Sequence, residues 1–215
     1  MSDSSYIPTL EKGEVASGAA SDSAADSMFY VVSRRKLAIL FIVTFGAYAI
    51  YWFYKNWSRY KHHASWSPEE RPTVWPVPRA IFVIFFIHSL FSKVKEYGRD
   101  KPAVAAWGNT GVATFMVVLY IAIQVLDRLS SKSIGLPYTH ILSLLCMVGL
   151  LFAFLNAQAM INASCNDPEG ATNDKLTGAN YAWIVVCGVI WVMAIAGAFL
   201  SGAEDGFHAG TSGSF

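Results

Sequence analysis

Leu37–Tyr54 reads LAILFIVTFGAYAIYWFY, eighteen residues without a charge. As an α-helix it would run about 27 Å, close to the ~30 Å hydrocarbon core of a bilayer. Arg34, Arg35 and Lys36 precede it, and Lys55, Arg59 and Lys61 follow. Tyr48, Tyr51, Trp52 and Tyr54 crowd its second end, and amphipathic rings favour the headgroup region. The stretch therefore predicts a continuous transmembrane helix, around which the other apolar runs pack.

Composition agrees. The chain has 215 residues, 54% of them hydrophobic and 14% charged, where a soluble domain carries about 25% charge. Its net charge of +1 gives no reason to expect a nucleic-acid partner. Cys146, Cys165 and Cys187 form neither a disulfide framework nor a metal spacing.

Working outward, residues 1–27 are rich in Ser, Ala, Gly and Asp and predict a disordered tail. Residues 28–202 form the membrane bundle, with helices at about 37–54, 80–95, 103–126, 138–164 and 181–200. Residues 55–79 read as a polar, aromatic linker, and 203–215 as a flexible tail. The second helix is short: its apolar run from Ala80 breaks at His88 and Ser89 and ends before Lys93. It suits an interfacial or re-entrant position better than a crossing. The expected fold is an all-α integral membrane protein with four transmembrane helices plus that short helix, or five spans if it crosses. With the first helix crossing and the second not, basic residues divide ten to five. That places 55–102 in the cytoplasm and both termini outside.

The helix over 138–164 carries a polar face. His140 and Gln158 lie five turns apart, Asn162 four residues beyond Gln158, and Cys165 three beyond that. Such amides serve as interhelical hydrogen-bonding groups, at about 1 kcal/mol each, or line a polar half-channel or ligand pocket. Thr44, Asn109, Thr110 and Gln124 are the expected partners of Gln158 and Asn162. In the last helix, Ala194, Gly197, Ala198, Ser201 and Gly202 have the small-residue spacing of a close helix contact, within the chain or in a dimer.

Within the first helix, Thr44, Gly46, Tyr48, Tyr51 and Trp52 form a T-x-G-x-Y-x-x-Y-W run. Gly46 allows close backbone approach, Thr44 can hydrogen-bond back to its own helix, and the three rings anchor depth. This run resembles the signature of a family of small bacterial membrane proteins of unknown function. A looser similarity continues through Pro78–Phe82 and Gln158-x-x-Ile161-Asn162. The resemblance implies a multi-pass location in the bacterial inner membrane and no particular activity.

Catalytic patterns are missing: no G-x-S-x-G, no H-E-x-x-H and no P-loop. His62 and His63 are adjacent, which does not put two ligands on one helical face, and Asp167-Pro-Glu169-Gly170 fails the calcium-loop spacing. No span has a charge at its centre, as a proton relay would require. The sequence thus predicts a non-enzymatic inner-membrane scaffold or partner subunit, with no cofactor and no metal. Its partners would be the lipid bilayer and a second membrane protein or another copy. One alternative is a small transporter or channel component using Gln158 and Asn162. Another is a membrane enzyme acting on lipid headgroups, with His62, His63 or His88 at the interface; a cleft joining His88 to a carboxylate such as Glu96 or Asp100 would favour it.

Overall fold

A computed structural model describes residues 27–64 and 74–211; for 64, 194–195 and 198–211 it describes the backbone only. The tail expected over 1–27 and the proline-rich part of the linker fall almost wholly outside the described residues. Among the described residues every regular element is helical.

The decisive stretch is not one helix. Helix α1 (Arg34–Val43) starts at Ser33, whose hydroxyl accepts the Lys36 backbone N–H. It stops at Thr44-Phe45-Gly46, and α2 (Tyr48–Ala64) follows after one tight turn. The stop is a Schellman arrangement: Gly46 N–H donates to Phe41 O and Phe45 N–H to Ile42 O. Phe45 and Gly46 both have positive φ, 51° and 80°, which ends an α-helix. The Thr44 hydroxyl donates to Leu40 O at 2.7 Å and accepts Tyr48 N–H at 2.9 Å, so it closes one helix and opens the next.

The chain therefore folds back. Tyr30 N–H donates to Asn56 Oδ1 at 3.1 Å, Arg59 donates to Ser27 Oγ at 2.6 Å, and Phe29 stacks on Tyr60 at 6.1 Å. Both basic flanks stand at one end of the bundle, which overturns the crossing helix and the ten-to-five count built on it. Lys55–Ala64, expected in a linker, belongs to α2.

A second fold-back follows. Pro76 opens α3 (Pro76–Ile81), where its missing N–H costs nothing. Phe82, at φ −92° and ψ 46°, breaks the path before α4 (Val83–Tyr97). Arg79 lies over the Trp57 ring at 4.3 Å and Lys93 over the Tyr60 ring at 5.8 Å. Trp57 and Tyr60 are a turn apart on α2, so the two cations flanking the bend return to the same end. The single helix expected over 80–95 is in fact this bent pair.

The helix expected over 103–126 also divides, into α5 (Pro102–Ala105) and α6 (Asn109–Ser130). Between them Trp107 is held inward: its carbonyl accepts from Lys95 Nζ at 2.8 Å and its indole N–H donates to Asn156 Oδ1 at 2.9 Å. Helix α7 (Tyr138–Ser164) returns antiparallel to α6. A loop with one 3-10 turn (Ala171–Asn173) leads to α8 (Gly178–Thr211), which runs on past Gly202 into the stretch expected as a flexible tail.

Helices α6 and α7 are long and apolar enough to cross a membrane, and Gly178–Met193 is a shorter apolar stretch. Only 17% and 33% of the apolar windows of α6 and α7 are buried, unlike the core helices of a soluble domain. The aromatic core is Trp52, Phe53 and Phe154, with Phe41 against Phe154 at 5.4 Å. The end holding residues 27–36, 55–64, 93–108 and 156–178 is the capped end. Of the fourteen described Lys and Arg residues, all but Arg128 and Lys132 stand in the half of the bundle nearest it.

Candidate functional site

Residues 30–33 enter the bundle in extended form; Ser33 has φ −64° and ψ 142°. Buried extended backbone needs hydrogen bonds that neither a helix nor a sheet supplies here. Four side-chain amides supply them. Asn56 Oδ1 accepts Tyr30 N–H, and Gln158 Nε2 donates to Tyr30 O at 3.0 Å. Asn173 Nδ2 donates to Val31 O at 2.9 Å. Asn162 takes both groups of Val32: Nδ2 donates to its carbonyl at 3.0 Å and Oδ1 accepts its N–H at 3.3 Å.

The amides also bind each other and the core. Gln158 Nε2 donates to Asn162 Oδ1 at 2.6 Å, and Gln158 Oε1 accepts the Trp52 indole N–H. Asn56, Trp52, Gln158 and Asn162 have no exposed surface. Lys36 seals the outer edge, donating to Asn173 Oδ1 and Lys175 O, both at 2.7 Å. Gly170, at φ +68°, lets its loop touch the Val32–Ser33 backbone; a Cβ there would sit 2.5 Å from the Val32 carbonyl carbon. The loop is set by Asp167, whose carboxylate accepts Ala171 N–H, Thr172 N–H and the Thr172 hydroxyl. Partial burial raises the Asp167 pKa, but these hydrogen bonds outweigh it and hold the carboxyl below its usual range.

Of the polar face read from the sequence, Gln158 and Asn162 come together here. Their partners are Trp52 and the Tyr30 and Val32 backbone, not the expected Thr44, Asn109, Thr110 and Gln124. His140 is exposed at the opposite end of α7, and its surroundings differ from those of Gln158. Cys165 caps α7 beside Ser164 Oγ at 3.8 Å, and burial pushes its thiol up, away from the nucleophilic thiolate. Asn56 and Asn173 were missed because one fell in an expected linker and the other in a loop.

The first-helix run divides its labour. Thr44 and Gly46 make the turn, Trp52 reaches the amides, and the Tyr48 and Tyr30 hydroxyls lie 3.3 Å apart. Tyr51 meets the Tyr30 ring edge-on. Gly197 is not part of a close contact among the described residues, since a Cβ there meets nothing within 4 Å. The side chains of Ala194, Ala198, Ser201 and Gly202 lie outside the described residues.

Among the described residues His88 builds no catalytic pair with Glu96 or Asp100. His88 Nε2 lies 3.0 Å from Thr114 Oγ1, while Glu96 pairs with Lys93 and Asp100 with Lys101. Among the described residues no three His, Cys, Asp or Glu side chains converge as a metal site.

No protein-family model matches the chain, and no curated protein or solved structure matches it.

Proposed function

We propose that this chain is a multi-pass protein of the bacterial inner membrane that acts without chemistry of its own, as a scaffold or partner subunit. One observation carries the reading. The conspicuous polar groups are consumed in holding the chain's own lead-in segment, while the outward surface is a broad apolar belt. Phe115, Val118, Leu144, Phe152, Val186 and Val189 are all half exposed or more. A soluble monomer rarely exposes so large an apolar surface. A transport role for Gln158 and Asn162 would require breaking the amide cluster.

Two fold-backs and two or three crossings describe the topology in this reading. The α1–α2 and α3–α4 segments dip in from the capped face and return to it. Twelve described basic residues on that side against two on the other make it cytoplasmic. Helix α8 leans on the rest mainly through α1, leaving Val185, Val189 and Val192 outward for a partner. The test uses single cysteines replacing Lys61, Glu169 or Lys132 in a chain lacking Cys146, Cys165 and Cys187. A membrane-impermeant thiol reagent added to intact cells should label position 132 alone. Labelling at 61 or 169 overturns the topology. A photo-crosslinking residue at Val185 or Val189 should join α8 to one discrete protein or a second copy; adducts with lipid alone would remove the scaffold role.

A further inference from the structure

The fold-backs leave the opposite half of the bundle unfilled. A cleft of ≈ 920 Å³ opens there, between the tip of the α1–α2 hairpin, the α3–α4 bend and the second half of α6. Its volume lies within the ~300–1,000 Å³ of small-molecule sites. The inner wall is apolar, with Phe45, Ile50, Phe53, Ile81 and Ile84 among its residues.

One wall is not apolar. Tyr120, Gln124 and Arg128 are spaced four residues apart on α6 and all line the cleft, with Asp127 beside Arg128. Their rise is about 6 Å per step. Arg128 and Asp127 are exposed near the end of α6 and make no ion pair among the described residues, though Ser143 Oγ donates to one Asp127 oxygen at 3.2 Å and leaves the other open. The Gln124 amide and the Tyr120 hydroxyl make no side-chain hydrogen bond among the described residues. Arg128 alone would need no occupant, because a long cation reaches the headgroup layer from many positions. Gln124 is different: an unpaired amide one turn deeper, facing hydrocarbon, is costly. An occupant that is charged at the mouth, hydrogen-bonding one turn down and apolar beyond satisfies the whole wall.

We infer that the cleft binds one glycerophospholipid of the leaflet on the Arg128 side. Arg128 takes the phosphate, as guanidinium groups do in paired hydrogen bonds. Asp127 faces an ammonium headgroup, Gln124 donates to an acyl-ester carbonyl, and an acyl chain runs inward under Phe45 and Ile50. The inference rests on the membrane reading above, so membrane residence is measured first, on the same sample. Release of the protein by alkaline carbonate would end that reading. Retention lets the lipid question be asked.

The probe is phosphatidylethanolamine with a photoactivatable diazirine in one acyl chain, incorporated into carbonate-washed membranes holding the full chain. Peptide mapping should place the adducts on segments containing Ile50, Phe53 and Ile84. Q124L/R128Q should cut that labelling about tenfold, whereas Lys132→Gln should leave it unchanged. Adducts spread equally over the outward Leu144–Val148 face would overturn the site, as would unchanged labelling in the double variant. A protein–protein adduct in place of lipid would overturn it in favour of a second copy or a partner helix. If the double variant is degraded, the wild-type adduct map decides alone.

Discussion

At the capped end, α7 finishes among polar groups that are nearly all matched: four amides engage the run from Tyr30 to Val32, and Lys36 holds one of them, Asn173. Toward the other end, α6 finishes with Gln124, Asp127 and Arg128 along a cleft whose far side is the bare tip of a hairpin. Both ends contain amides facing an apolar interior. The difference is whether the chain itself supplies the complementary groups. Where it does, the result is a joint closed to solvent; where it does not, at Gln124 and Arg128, the result is a surface open to an occupant.

If the capped end is the closed one, damage there should dominate stability. Gly170→Ala should have the largest effect. It forces a side chain into the left-handed region and against the Val32 backbone, for about 3 kcal/mol together. The midpoint of denaturation in mixed micelles reads this directly. Asn162→Leu leaves both Val32 backbone groups without their partner and should cost about 2 kcal/mol in the same assay. An effect of either variant no larger than that of a surface change would break the comparison.

The joint between α8 and the hairpin tip should be weaker. Trp191 donates its indole N–H to Val43 O at 3.1 Å and stacks on Phe45. Trp191→Phe should cost about 1 kcal/mol, read as a broadened spin-label distance between α8 and α7 with little change in the global midpoint. Gly188 sits on α8 with nothing within 4 Å of an added Cβ. Gly188→Ala should therefore stabilise, by about 0.5–1 kcal/mol. A loss instead would show that a partner packs closely on that face.

The smallest effect is that of pH. Asp167 is held below its ordinary pKa in the folded chain, so its contribution is complete above about pH 4. It is lost as pH falls from there through the folded-state value, where the carboxylate gains a proton. Asp167→Asn should flatten this acid limb and lower the neutral-pH midpoint by the same small amount that the limb carries in the unaltered chain. An unaltered acid limb would remove Asp167 from the account.

An all-helical chain with long apolar helices at α6 and α7 was legible from hydropathy alone. The first helix was misread because length and flanking charges are the same for a straight helix and for two arms of a hairpin. The information lay in Thr44-Phe45-Gly46, and it is local: a hydroxyl, a glycine and one residue forced to positive φ. The same holds at Phe82 and at Ala106–Gly108, where tertiary contacts redirect an apolar run that periodicity would continue. Gln158 and Asn162 stood out because amides are rare in long apolar helices. What they bind did not, since an extended backbone segment carries no side-chain signature of its role.

The Val32–Asn162 contact also has a schedule. The two residues are 130 apart in the chain, and synthesis at about 5–20 residues per second separates them by roughly 6–26 s. Through most of that interval Asn56 is the one amide of the four that the Tyr30–Ser33 backbone can engage, and α1 has no α7 to lie against. The local Thr44-Phe45-Gly46 turn can form at once, but the lead-in segment is not fastened until α7 has been synthesised, so a chain cut short before residue 162 should lack the joint and be cleared faster by quality-control proteases.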